Sequence, residues 1–178
     1  MAATKHTLVA LVENKPGVLN RVASLFRRRG FNIESIAVGH SELPNISRMT
    51  LVVDGKTTSV EQVRKQLEKV IDVVRVIEIS SDDMISRELA LIKVKTTPST
   101  RSEVMQIVDI FRANIVDVGT DSVTVEVTGD EEKVNSLLGL LGDFGVRELA
   151  RTGRIAMTRR GAATLKEATQ TRSRKKKA

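Results

Sequence analysis

Cysteine is absent from the 178 residues, as are tryptophan and tyrosine, and only four phenylalanines and two histidines are present. Without cysteine there is no disulfide, no thiolate metal site and no cysteine nucleophile. His6 and His40 fall in no metal-binding spacing such as H-x-x-x-H, and each reads as an exposed strand-edge residue. The scarcity of aromatic rings leaves little with which to stack nucleobases. No apolar run approaches the ~18–20 residues of a membrane span, and Met1-Ala-Ala-Thr-Lys5 lacks the apolar stretch of a signal peptide. The chain is therefore expected to be soluble and cytoplasmic, with no membrane partner. Also missing are G-x-S-x-G, a Walker A loop and G-x-G-x-x-G. The acidic pairs Asp82-Asp83 and Glu131-Glu132 sit beside expected element boundaries, one reading as a linker and the other as a helix first turn. No catalytic residue is expected.

Positive charge is what the chain has in excess, at +7. Residues 162–178 hold six Lys/Arg against one Glu, which leaves 23 basic and 21 acidic groups in the other 161 residues. The body is thus nearly neutral. The excess belongs to a tail without apolar periodicity, which reads as disordered. This distribution argues against a nucleic-acid partner, since no broad phosphate-binding face follows from it.

What is present is pattern. Residues 6–12, HTLVALV, read as a buried strand, and from Pro16 the apolar positions take helical spacing through Val18, Leu19, Val22, Leu25 and Phe26. Pro16 suits a first helical turn, and Arg27-Arg28-Arg29-Gly30 supplies cations and a glycine for the helix end. FNIESIAVGH and SRMTLVVDG predict a hairpin around Glu42–Asn45. Residues 59–71 predict a helix burying Val60, Val63, Leu67, Val70 and Ile71, and residues 73–80 a strand. The order β-α-β-β-α-β is the ferredoxin-like plan.

That order then repeats. A strand over 87–97 leads through Thr97-Pro98-Ser99-Thr100, with a possible capping box Thr100-x-x-Glu103, into a helix burying Val104, Ile107, Val108 and Phe111. A hairpin around Gly119-Thr120-Asp121, a helix burying Val134, Leu137, Leu138 and Leu141, and one extended segment over 146–158 follow. The fold class is therefore α+β, two ferredoxin-like βαββαβ domains in tandem. The divisions are 1–80, 81–161 and the basic tail 162–178.

One stretch carries candidate chemistry: Asn14-Lys15-Pro16-Gly17 where the first strand meets the first helix. A helix start offers free N–H groups and the positive dipole end to a carboxylate, and Gly17 lets a ligand come close to the backbone. Asn14 and Asn32 can meet ammonium or carboxylate, while Val18, Leu19 and Ile33 could line a pocket for an aliphatic side chain. A free amino acid has these features. Equally, Pro-Gly is ordinary turn chemistry and Asn14 could be a plain N-cap. The second repeat has no Asn-x-Pro-Gly, which sets the first apart.

VENKPGVLNRVASLFRRRGFNIESIAVG with SRMTLVV, VVRVIEI, SRELALIKV and FRANIVDV closely resembles the regulatory small subunits of acetohydroxyacid synthase (acetolactate synthase), over about residues 5–160. The resemblance implies that the first domain is an ACT domain and that ACT domains pair as a homodimer. An effector then lies between two copies: Asn14, Lys15, Pro16, Gly17, Val18 and Leu19 from one, Asn32 and Ile33 from the other. It further implies a catalytic large subunit as partner, activated by this chain and made sensitive to valine or another branched-chain amino acid. Thiamine diphosphate, Mg²⁺ and FAD would belong to that partner and none to this chain. The alternative, an ACT-type sensor serving another enzyme or transcription, would call for a helix-turn-helix or a broad basic face, and neither is visible in residues 1–161.

Overall fold

The computed structural model describes residues 5–55, 59–79 and 84–159. The expected linker Asp82-Asp83, the division at residue 80/81 and the tail 162–178 lie outside the described residues. Two compact units result. One takes in the described residues through Ile85 together with those from Ala156 on, and the other is Ser86–Ile155.

The first unit runs β1 (Lys5–Glu13), α1 (Val18–Arg29), β2 (Ile33–His40), β3 (Ile46–Asp54), α2 (Val60–Leu67) and β4 (Val73–Glu78). Its antiparallel sheet has the order β2-β3-β1-β4, so β2 and β4 are the edges. Leu8, Ala10 and Val12 of β1 and Met49, Leu51 and Val53 of β3 point to one face. There they meet Val22, Leu25 and Phe26 of α1 and Val63 and Leu67 of α2. Thr7, Val9 and Leu11 on the other face of β1 are buried as well, with Val9 packing beside Ile79 and Ala156. Burial on both faces is why β1 reads as a continuous apolar run rather than an alternating one. Helix α1 ends on Gly30 at φ 67°, whose N–H donates to the Arg27 carbonyl, and Phe26 then meets Phe31 edge to face at 5.8 Å.

The second unit repeats the plan with β5 (Met84–Lys95), α3 (Arg101–Ile110), β6 (Asn114–Val118), β7 (Ser122–Gly129), α4 (Glu131–Gly142) and β8 (Val146–Arg151), in the order β6-β7-β5-β8. Ala90, Ile92 and Val94 face Val104, Val108, Val134, Leu137 and Leu141 across its core. Asp130 caps α4, its carboxylate accepting from the Lys133 N–H at 2.9 Å, and Glu131 and Glu132 occupy the first turn.

Four local expectations change. Helix α1 starts at Val18 rather than Pro16, because Gly17 is its N-cap in a left-handed conformation, φ 86°. The capping box at Thr100 does not form: the Thr100 hydroxyl accepts instead from the Thr97 N–H at 2.9 Å, and no side chain caps α3. The extended segment over 146–158 breaks at Gly153, φ 76°, giving β8 and a separate strand β9 (Ile155–Thr158) that pairs with β5. Helix α2 stops at Leu67, and tight turns (Val70 N–H to the Leu67 carbonyl, Val73 N–H to the Val70 carbonyl) rotate Ile71 off the buried face, leaving it 77% exposed.

Leu67 and Ile71 look alike in the helical pattern and differ in burial, so truncation separates them. Leu67→Ala should lower the unfolding free energy by about 3 kcal/mol, and Ile71→Ala should change it by less than about 0.5 kcal/mol. Urea denaturation of the two variants measures both.

Candidate functional site

The turn from β1 into α1 is held on three sides. The Asn14 N–H donates to the Asn45 carbonyl at 2.8 Å, fixing the end of β1 to the β2–β3 loop, where Asn45 itself is left-handed at φ 60°. The Asn14 side-chain amide lies 3.4 Å from His40 Nδ1. Lys15 Nζ is 2.6 Å from Glu13 Oε2 and 2.7 Å from Asp72 Oδ1. Asp72 also pairs with Arg21 of α1, and its carbonyl accepts from the Glu13 N–H at 2.9 Å.

Asp72 is the pivot, with a side chain only 1% exposed. A buried carboxylate must be paired, and it is paired here with two cations from the turn and from α1. The ammonium of Lys15, then the guanidinium of Arg21, hold its carboxyl below the usual carboxylate range. The same contact, with Glu13 second, raises Lys15.

At Gly17 the chain needs a residue that tolerates positive φ, and a Cβ built there would meet nothing within 4 Å. The requirement is thus conformational, and the space beside the backbone is open. No side chain caps α1, and among the described residues the first-turn N–H groups of Val18, Leu19 and Asn20 have no partner. Asn14, Lys15, Pro16 and Gly17 are all exposed. Asn14 is therefore not the N-cap of α1. The corresponding turn of the second unit is closed on itself: the Thr97 hydroxyl lies 2.9 Å from that of Ser99 and 3.1 Å from that of Thr100. None of Thr97, Pro98, Ser99 and Thr100 is left-handed.

The apolar candidates divide. Val18 is buried and Ile33 half-buried, both against the core of the first unit, whereas Leu19 is 52% exposed. Asn32 is exposed just before β2. The register also separates the candidates. Ile33 stands opposite Val53, which stands opposite His6 near the start of β1, while His40 stands opposite Ser47, next to Val12 at its end. Asn32 and Ile33 therefore lie at the other end of the sheet from the Asn14 turn, roughly 20–25 Å away at about 3.3 Å per residue. Within one chain the structure does not bring the two groups together.

Sequence reasoning missed His40, Arg21 and Asp72. The signal for Asp72 was available: in Val70-Ile71-Asp72-Val73-Val74 a lone acid interrupts an apolar run. His40 carried no such mark, because its contact with Asn14 depends on the hairpin register. Among the described residues no group of three or more His, Asp or Glu could hold a metal ion, and no helix is long and apolar enough to cross a membrane.

The paired Asp72 gives a pH signature. A carboxyl lowered from its ordinary 3.8 contributes stability that is present above that value and lost as pH falls through its native one. Lys15, raised from 10.5, contributes below that value and loses its share as pH rises past it. Asp72→Asn should be less stable than the parent at neutral pH, with the gap closing as pH drops below about 4. Urea midpoints of both proteins across the acid range check this; parallel curves would contradict the pairing.

Comparison with known proteins agrees with this architecture. A family model described as "AHAS small subunit-like ACT domain" matches residues 8–75, and one described as "Small subunit of acetolactate synthase" matches residues 87–160. The "Probable acetolactate synthase small subunit" of Archaeoglobus fulgidus is 56% identical over 155 residues, covering 87% of this chain and 97% of that protein. The "Acetolactate synthase small subunit" of Mycobacterium bovis is 51% identical over 168 residues, covering 93% of this chain and all of its own. The crystal structure of the acetolactate synthase small subunit from Thermotoga maritima superposes with a TM-score of 0.81 at 44% identity, covering 89% of this chain and 99% of that one. With both family models matched in tandem and relatives above half identity along most of its length, the chain belongs to the acetolactate synthase small-subunit family, its first unit being that family's ACT domain.

Proposed function

We propose that this chain is the regulatory subunit of an acetolactate synthase. It binds the catalytic large subunit, raises its activity and makes it sensitive to a branched-chain amino acid, valine first, in branched-chain amino acid biosynthesis. Thiamine diphosphate, Mg²⁺ and FAD belong to the catalytic partner in this reading. The names of the relatives support the regulatory role. The effector site rests on the geometry of the turn.

The observation that carries the site is the separation of its two halves. Asn14, Lys15, Pro16 and Gly17 stand at one end of the sheet and Asn32 and Ile33 at the other, while β2 is an edge strand with β3 as its one described neighbour. Ile36 and Val38 on β2 are 37% and 50% exposed, and Leu19 is 52% exposed. An edge with open N–H and C=O groups and an apolar strip calls for a partner. If β2 pairs antiparallel with β2 of a second copy about the Ile36–Ala37 midpoint, the partner's Ile33 falls opposite His40, which touches Asn14. One homodimer then holds two composite sites, each with unpaired helix N–H groups for a carboxylate, amide groups for the ammonium, and Leu19 for an aliphatic side chain. Valine shifts the partner's activity only if it binds one arrangement of the dimer more tightly than another, and coupling of this kind is typically ~1–3 kcal/mol.

Gly17→Asp places a carboxylate where that of the effector would lie. It should abolish valine inhibition while leaving activation of the catalytic subunit largely intact. Gly17→Ala carries the same left-handed strain, about 1–2 kcal/mol, without the charge, and should keep measurable valine binding by calorimetry. Full valine sensitivity in Gly17→Asp would remove the turn from the site.

A further inference from the structure

The near-neutral sum of charges over residues 1–161 conceals a local concentration. Between α1 and the segment that follows α2 lies a groove of about 730 Å³ whose lining includes Arg21, Arg28, Arg29 and Lys69 and no acidic residue. It is continuous through Arg29, Gln66 and Lys69 with a second groove of about 620 Å³ that adds Lys65 and a single acid, Glu68. Ile71, the residue turned out of the core, is part of the lining of the first groove.

The charges here are used differently from those elsewhere on the same helices. On α2, Arg64 is held by Glu61 at 2.8 Å and by Glu68 at 2.6 Å, and Lys65 lies 3.3 Å from Glu61. In the groove, among the described residues, the side chains of Arg28 and Lys69 have neither an ion pair nor a hydrogen bond, and that of Arg29 meets only the neutral Gln66 amide at 3.2 Å. The groove is also separate from the apolar edge. At 100° per residue Leu19 stands about 100° to one side of Val18, and Arg28 about 80° to the other, so the two lie on opposite flanks of α1.

We propose that this groove is a docking surface for an acidic segment of the catalytic subunit, with Arg28, Arg29 and Lys69 meeting its carboxylates and Ile71 meeting an aliphatic side chain. The assignment rests on the regulatory-subunit reading above. Charge complementarity selects an anionic occupant, and complementary charge both steers encounter and fixes register. The exposed Ile71 in the groove's lining, beside half-buried Val70, selects a peptide over a free polyphosphate, which has no use for an apolar contact.

The test compares the parent, Arg28→Glu/Lys69→Glu, the charge-keeping Arg28→Lys/Lys69→Arg, and Ile71→Asp. For each, the concentration of regulatory chain that half-maximally activates the catalytic subunit is measured at low and high salt, with valine binding to the free chain by calorimetry alongside. Double reversal should raise the half-activating concentration about tenfold and remove most of its salt dependence. Ile71→Asp should raise it severalfold, the charge-keeping pair should match the parent, and valine binding should be unchanged throughout. An unchanged half-activating concentration in the double reversal overturns the proposal, as does tripolyphosphate binding that the reversal abolishes while activation is unaffected. A parent that neither binds nor activates the catalytic subunit instead overturns the regulatory reading and takes this assignment with it.

Discussion

A single carboxylate organises the functional end of the first unit. Asp72 is buried to 1% exposure, and a charge so placed is tolerable only with close partners of opposite sign. Its partners come from elements far apart in the chain: Lys15 from the turn, Arg21 from one helical turn into α1, and the Glu13 N–H through the Asp72 carbonyl. This fixes the end of β1, the approach to α1 and the exit of α2 relative to one another. The turn can then keep Gly17 left-handed and the first N–H groups of α1 uncapped, because its position is set by Asp72 and not by a local cap. The same contact commits the charge of Lys15, so that what the turn offers a ligand is backbone and the Asn14 amide.

The two units use one plan to different ends. Both have the strand order edge–inner–inner–edge and a core between two helices and a sheet. In the second unit the turn into the first helix is filled by its own hydroxyl groups, and Arg101 donates to the Gly119 and Thr120 carbonyls at 2.8 Å, fastening α3 to the hairpin loop. In the first unit Arg21 of α1 reaches a buried acid instead, and with Pro16 set against Pro98 the turn carries Lys15, Gly17 and Val18 where the second unit has Thr97, Ser99 and Thr100. A closed turn serves stability; an open one costs some stability and exposes donors. The contrast is the physical content of the asymmetry between the repeats.

Legibility followed periodicity. Helices and strands with strong apolar repeats appear where spacing put them, since burial of one face decides both type and register. The failures lie at ends. Helix α1 begins two residues late because a left-handed glycine, not proline, marks its start; α2 ends early and frees Ile71; Thr100 bonds backward into its own turn; Gly153 divides what looked like one strand. Each is settled by a hydrogen bond or a backbone angle that hydropathy does not encode. In the candidate site, the turn was visible as a motif. That its two halves stand at opposite ends of one sheet follows only from register, and so does the contact of His40 with Asn14.

Helix α1 carries surfaces of different character on its several sides. Val18, Val22, Leu25 and Phe26 form its core stripe; Leu19 is exposed on one flank; Arg21 and Arg28 line the groove on the other; and no side chain caps its N-terminus. A helix packed by a close-fitting core moves as a body rather than bending. A carboxylate taken up at its N-terminus, or a change at the β2 edge, therefore displaces the groove side along with the rest. Arg21 strengthens the linkage, since it lines the groove while gripping Asp72, and Asp72 grips Lys15 in the turn. The proposed effector turn and the proposed docking groove are thus two faces of one helix. In the proposed reading, coupling between them needs no long pathway, only a difference in how α1 sits with and without the effector.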